Sequence, residues 1–257
     1  MHILIDIGNS TIVVAITDDA GNICNTWRFK TLKEETVSFF RSELHAGIGK
    51  YRVQTCEAKT VTISSVVPEV NDDIAQAIND IFGITPHFFC LDDALKVIDI
   101  DIESPSQLGK DRLADAIGAA LCYGTPAIIF DMGTATTMGV VNEQNCFIGG
   151  MIIPGVKTSL NALSARASQL PAINIEKPRH LVGRNTLECM QSGIVHGTAA
   201  MIDGIIDRIQ PTLSQQAHII ATGGMARNII PHCRHSITLD PHLQFKGLYH
   251  ACHQGNE

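Results

Sequence analysis

Two stretches of this 257-residue chain repeat one pattern: ILIDIGNSTIVVAI over residues 3–16 and IIFDMGTATTMGVV over residues 128–141. Each opens as an apolar run, places a single aspartate at its end, turns through x-Gly-polar, and returns through apolar and β-branched residues. Successive side chains of a strand face opposite ways, so an apolar run without alternation predicts a strand covered on both faces. The copies are in register. Asp6 matches Asp131, Gly8 matches Gly133, and the turn at Asp18–Asp19 matches Glu143–Gln144, each pair 125 residues apart. After each turn a third strand follows (NICNTWRF, NCFIGGMII). A duplicated three-strand meander restricts the chain to two related α/β domains.

The segments between fill in the order. Residues 34–46 predict a helix, KTVTISSVV a buried strand, and PEVNDDIAQAINDIFG a helix opened by Pro68 and closed by Gly83. PHFFCL predicts a short strand, and residues 92–110 a polar, turn-rich loop. In DRLADAIGAALCYG, Leu113, Ala116, Ile117, Ala120 and Leu121 share one helical face. The three-strand pattern then restarts, followed by helices over about 155–167 and 186–209, a strand HIIAT, a strand near SITL and a C-terminal helix. Two consecutive domains are expected, 1–115 and 116–257, with the helix at 111–123 marking the boundary and the active site in the cleft between them.

Composition narrows the function classes. A net charge of −7 argues against a nucleic-acid-coating surface. No run approaches the length of a membrane span, and with a strand starting at once in MHILID no cleavable signal is expected. The eight cysteines, with no C-x-x-C pair, read as reduced core thiols. The eleven histidines show no H-x-x-x-H spacing. A cytoplasmic enzyme without nucleic-acid or membrane partners is expected.

The sites follow from residue chemistry. Gly8 allows a tight turn, and Asn9, Ser10 and Thr11 offer hydroxyl, amide and backbone donors of the kind that bind phosphate oxygens. Asp6 beside such a loop needs a cation between carboxylate and phosphate, which suits Mg²⁺, directly or through water. Gly109-Lys110-Asp111-Arg112 places Asp111 at a helix start, as an N-cap, between two cations. The helix end and Arg112 together make an anion pocket in an acidic protein. The P-loop pattern G-x-x-x-x-G-K-[ST] and the G-x-G-x-x-G fingerprint are both absent.

The duplicated loops, with Thr222-Gly223-Gly224 after HIIA, resemble the phosphate loops and adenosine-contacting turn of the acetate and sugar kinase, heat-shock ATPase and actin superfamily. That resemblance implies duplicated actin-like, ribonuclease H-like α/β domains, each a mixed sheet opening with a three-strand meander and flanked by helices. GKDR is similar to the Gly-x-Asp-Arg signature of the type III pantothenate kinases. DIGNS, DMGTATT, FIGGMIIPG, VGRNT, MQSGIVHG, ATGG and DPHLQFKGL resemble that family's motifs in its order, over nearly the whole chain.

The resemblance implies ATP-dependent phosphorylation of pantothenate, the first step of coenzyme A synthesis. It implies roles by position. Asp6, Ile7, Gly8, Asn9, Ser10, Thr11, Ile12 and Val13 form an ATP phosphate loop, with Asp6 facing magnesium. Thr134 contacts the nucleotide phosphates, and Asp131 holds a monovalent cation, K⁺ or NH₄⁺. Gly109, Lys110, Asp111 and Arg112 bind pantothenate, with Asp111 as general base. Thr186 reaches pantothenate across a homodimer interface. Ile102 stands where the family often has a pocket tyrosine, so a hydroxyl is lost there. That departure keeps two other readings open: a catalytically weakened, regulatory relative, and a kinase for another small hydroxylated acid or sugar.

Overall fold

A computed structural model describes residues 1–253. In chain order the strands are β1 (His2–Ile7), β2 (Thr11–Thr17), β3 (Ile23–Lys30), β4 (Thr60–Ser65), β5 (His87–Phe88), β6 (Asp99–Ile100), β7 (Ala127–Met132), β8 (Ala135–Val141), β9 (Cys146–Pro154), β10 (His218–Thr222) and β11 (Thr238–Leu239). The α-helices are α1 (Val37–Tyr51), α2 (Asn71–Phe82), α3 (Leu91–Ala94), α4 (Lys110–Tyr123), α5 (Val156–Arg166), α6 (Thr186–Ile209), α7 (Ala226–Ile229) and α8 (Leu243–His253). Two sheets result, ordered β3-β2-β1-β4-β5 and β11-β10-β7-β8-β9-β6. In each, the first hairpin is antiparallel and the remaining strands on its far side run parallel to the central one. Both are mixed sheets flanked by helices, as expected.

Two compact units contain them. Among the described residues, the first comprises Met1–Asp99, Glu103–Leu121 and 242–253; the second comprises Ile100–Ile102 and Cys122–Pro241. These bounds are not those of a single cut after residue 115. Most of α4 belongs to the first unit, and the chain re-enters that unit with α8. α8 packs on β1, β4 and α3, and glycines bring it against α4. A Cβ on Gly247 of α8 would lie 1.8 Å from the Ala114 carbonyl oxygen of α4, and one on Gly118 2.4 Å from that of Leu243. The two backbones touch because neither glycine has a side chain.

Each unit has its own core. In the first, Ile3, Ile5 and Ile7 of β1 pack with Val14, Ile63, Phe40, Leu44 and Ile74. In the second, Ile128, Phe130 and Met132 of β7 pack with Val195, Ala199, Ile202 and Ile206 of α6. The single apolar face expected for α4 is replaced by burial on every side from Leu113 to Ala119, while Leu121 is exposed.

α1 lies later than expected and ends at Arg52 in the left-handed conformation; α2 ends at Gly83, also left-handed. The PHFFCL strand shrinks to two residues because Cys90 and Asp93 cap α3 immediately after it. α6 begins at Thr186 as expected, with the Asn185 side chain accepting from Glu188 N at 2.9 Å. The cysteines are not core thiols: none is in a disulfide, four are exposed and four partly exposed.

Candidate active site

In the first unit Asp6 is the penultimate residue of β1, opposite Val13 of β2 and beside Ser64 of β4. The pair Ile7–Ile12 closes a loop of four residues, Gly8 to Thr11, in which Gly8 N donates to Thr11 O at 3.1 Å. Thr31 ties the loop from the β3 side: its Oγ1 donates to Gly8 O at 2.6 Å and its N to Ser10 O at 3.2 Å. Asn9 and Ser10 are exposed, Asp6 is half-buried, and Ile7 and Ile12 are fully buried. The last two can therefore meet a ligand only through their backbones.

Gly8 does not carry a left-handed φ, and neither does Gly133, so the turn does not draw on glycine's conformational freedom. An added Cβ at Gly8 would sit 3.3 Å from Thr11 O, a tight contact but not an overlap. One partner of Asp6 was missed by sequence reasoning. Gln244 Nε2, on α8, donates to Asp6 Oδ1 at 2.7 Å. The sequence signal was present in DPHLQFKGL, but 238 residues of separation hid the contact.

The same unit holds the Gly109–Arg112 cluster. Leu113 N donates to Gly109 O at 3.1 Å, so Gly109 occupies the cap position and Asp111 lies inside the first turn, not at the N-cap as expected. Asp111 Oδ1 accepts from Arg112 N at 2.8 Å. A Cβ on Gly109 would approach that oxygen to 2.4 Å, which explains why glycine precedes the Lys-Asp-Arg sequence. Lys110, Asp111 and Arg112 are all half-buried. Burial pushes the Arg112 guanidinium below its ordinary range, and Asp111 opposes that shift. A partly desolvated guanidinium beside a carboxylate at a helix N-terminus can hold an anionic or polar group while the carboxylate accepts a proton.

In the second unit Asp131 lies opposite Thr137 of β8 and beside Thr222 of β10. Here the loop has three residues, with Gly133 N donating to Ala135 O at 3.0 Å. Exposed Thr134 is held through its carbonyl, which accepts from Gly155 N at 3.2 Å and Thr158 Oγ1 at 2.7 Å. A Cβ on Gly155 would lie 2.2 Å from that carbonyl oxygen. Gly223, at φ +88°, comes against the aspartate itself: its Cβ would lie 2.4 Å from Asp131 Oδ1 and 2.5 Å from Met132 N. The Thr222-Gly223-Gly224 turn thus wraps the second carboxylate.

Ile102 is half-buried, next to Asp101, whose N donates to Phe147 O at 2.9 Å. Thr186 is exposed on the rim of a groove of about 850 Å³ between α5 and α6, lined by Leu160, Leu163, Leu170, Met190 and Ile194. Thus the structure brings Gly109, Asp111 and Arg112 together, joins Asp6 to Gln244, and gathers Asp131 and Thr134 with Gly155 and Gly223.

With that geometry in view, comparison with known proteins is specific. A sequence model described as type III pantothenate kinase matches residues 2–208. A curated relative from Bacillus cytotoxicus, named type III pantothenate kinase, is 34% identical over 97% of this chain and 94% of its own. Among solved structures, a protein described as a Baf family transcriptional activator from Campylobacter jejuni aligns with TM-score 0.60 at 18% identity, covering 97% of this chain and 96% of that one. The activator of 2-hydroxyisocaproyl-CoA dehydratase from Clostridium difficile, with bound ADPNP, aligns with TM-score 0.57 at 12% identity, covering 97% and 92%. These two structural likenesses speak to the fold.

Proposed function

The chain belongs to the type III pantothenate kinase family, and from that premise we propose that it transfers the γ-phosphoryl group of ATP to the primary hydroxyl of pantothenate, the first step of coenzyme A biosynthesis. The observation that carries the reading is family identity along nearly the full chain, in a sequence that keeps Asp6, Asp131 and the Gly109–Arg112 cluster.

Phosphoryl transfer proceeds through a loose transition state with charge on the equatorial oxygens, so the protein's task is positioning and positive potential. The exposed Asn9–Ser10 tip, pinned by Thr31, offers donors to the nucleotide phosphates, and Thr134 offers a hydroxyl from the second loop. Asp111 accepts the pantothenate hydroxyl proton as the oxygen–phosphorus bond forms. A carboxylate is a weak base for an alcohol, but the alcohol acidifies as transfer advances, and the carboxylate aims it meanwhile. Arg112 grips the polar end of pantothenate.

Asp6 fits a magnesium partner, being a half-buried carboxylate already oriented by the Gln244 amide. Asp131 fits a monovalent cation, being an oxygen donor at a strand end packed by glycine backbone. Bound there, such ions would neutralise phosphate charge.

A homodimer is part of this reading, with Thr186 reaching the partner's pantothenate and solution mass as its check. Exposed Ile152, Leu181, Val182 and Leu187 in the second unit favour a covered surface. The test of function is ADP release with ATP, Mg²⁺, K⁺ and pantothenate, repeated with glucose or acetate as acceptor and with Na⁺ for K⁺. ADP formed only with pantothenate supports the proposal, and failure to form ADP with any of the acceptors points to an accessory protein instead. Asp111→Asn lowers kcat on the order of 10²–10⁴-fold; an unchanged kcat removes Asp111 from the role of base.

A further inference from the structure

Among the described residues, one cluster outside the site above gathers unlike metal-binding donors. His87 on β5, Asp93 in α3 and Cys252 near the end of α8 place an imidazole nitrogen, a carboxylate oxygen and a thiol sulfur within 4.8 Å of one another. All three elements belong to the first unit. Cys90 adds a second thiol, its Sγ 3.3 Å from Asp93 Oδ2.

Asp93 is the anchor. Only 6% exposed, it accepts from His87 Nε2 at 2.7 Å and Cys90 N at 3.0 Å on Oδ2, and from Lys96 Nζ at 3.1 Å on Oδ1.

The donor chemistry selects the ion. Imidazole nitrogen, carboxylate oxygen and thiolate sulfur together suit zinc in a closed four-coordinate site, with bonds of about 2.0–2.3 Å; magnesium and calcium prefer oxygen alone. Closing the donors onto such an ion takes side-chain movement, and two groups of the cluster have the room for it. The His87 side chain is 51% exposed, which also supplies an entry path, and the Lys96 side chain is 63% exposed and can swing into water. Metal binding at the Cys252 thiol expels its proton, because the thiolate is the ligand.

We propose that His87, Asp93 and Cys252, with Cys90 as fourth donor, form a zinc-class metal site that fastens the C-terminal helix α8 to β5 and α3. The site would be structural, since its donors saturate the ion. It stands independently of the kinase reading.

Cobalt(II), added without nucleotide to the metal-stripped full-length protein, tests it. Expected are a stoichiometric near-ultraviolet thiolate-to-cobalt band with the intense visible bands of a tetrahedral ion, both displaced by zinc, and a rise in melting temperature. Cys252→Ser loses or weakens the thiolate band, and His87→Ala weakens cobalt affinity by about 10-fold or more. Cys56→Ser, at an exposed thiol in another segment, leaves both unchanged. His87 is exposed, so its variant reports even if Cys252→Ser fails to fold. Absence of a thiolate band in the wild-type protein, an unaltered band in Cys252→Ser, or only the weak bands of an octahedral, oxygen-bound ion overturns the proposal.

Discussion

The two hairpins are the same object up to their loops and different objects within them. β1 and β7 share one burial pattern along their length, and so do β2 and β8. Each second strand carries a register shift at its end, between Ile16 and Thr17 in one and Val140 and Val141 in the other. The far turns match atom for atom: Asp18 Oδ1 accepts from Ala20 N and Asn22 N, and Asn142 Oδ1 accepts from Gln144 N and Cys146 N. Asp18 therefore corresponds to Asn142, not Glu143. The spacing of 125 residues at Asp6 and Asp131 has fallen to 124, because the first loop holds one residue more. Buried strands fix the ladder on both sides, so the loop is where the copies were free to diverge. The first carboxylate meets a side-chain amide, and the second meets glycine backbone.

If the loops serve different ions, their aspartates should fail differently. Asp6→Asn lowers kcat on the order of 10²–10³-fold, the scale of losing a charge partner at a transferring phosphoryl group, and added magnesium restores part of it. Asp131→Asn shows its loss as an altered response to K⁺ and NH₄⁺. Initial rates across both cation series decide it; matching responses in the two variants would erase the distinction.

The loops should also differ in tolerance to a methyl group. Gly223→Ala forces a Cβ into Asp131 and Met132 from a left-handed backbone, and urea unfolding should register a loss of about 1–3 kcal/mol. Gly8→Ala has room to within a few tenths of an ångström and should cost no more than about 1 kcal/mol. Equal losses would mean that the second loop is no more tightly sealed than the first.

How much of this was readable in the sequence divides along the same line. The strands, the duplication and the start of α6 were legible because burial and capping leave periodic or local marks, such as the apolar run ending in Asp6 or Asn185 before Thr186. The missing loop residue was not, since alignment by Asp6 and Gly8 looks equally good one residue out of phase at Asp18. Nor were Gln244, the α4–α8 contact through Gly118 and Gly247, or the place of α8 in the first unit. Those depend on residues brought together by tertiary packing across more than half the chain, which no local pattern encodes. Gly109 was visible as a motif letter, but its reason, the Asp111 oxygen leaning over its Cα, is geometric.

Gln244 sharpens the comparison on a smaller scale. Gln244→Ala removes one hydrogen bond from Asp6, and the magnesium concentration for half-maximal rate should rise by about 2- to 10-fold, the worth of such a bond. The kcat at saturating magnesium should stay near wild type. A fall in kcat with unchanged magnesium dependence would assign Gln244 to holding α8 rather than to orienting the carboxylate.

The smallest expected effect separates the first residues of the two central strands. His2 opens β1, whereas β7 opens with Ala127, which cannot titrate. His2 Nδ1 lies 2.9 Å from Thr60 Oγ1 and 2.9 Å from His253 Nε2 on α8, with Tyr249 edge-on to its ring. Asp19, the N-terminal ammonium and Lys59 complete its charged surroundings. Burial, then His253, the ammonium and Lys59, push the His2 pKa below its ordinary 6.5, against the pull of Asp19. Protonation is thus harder in the folded chain than in the unfolded one. The stabilisation is complete above about 6.5 and is lost as the pH falls toward the lowered folded value, because the unfolded state then binds more protons. Melting temperature should fall from about pH 7 to about pH 5, and His2→Asn, which keeps a polar partner for Thr60, should flatten that fall. His250 and His232 are lowered by burial as well, so some slope remains in the variant. A slope as steep as wild type would show that the acid sensitivity lies outside the β1–α8 contact.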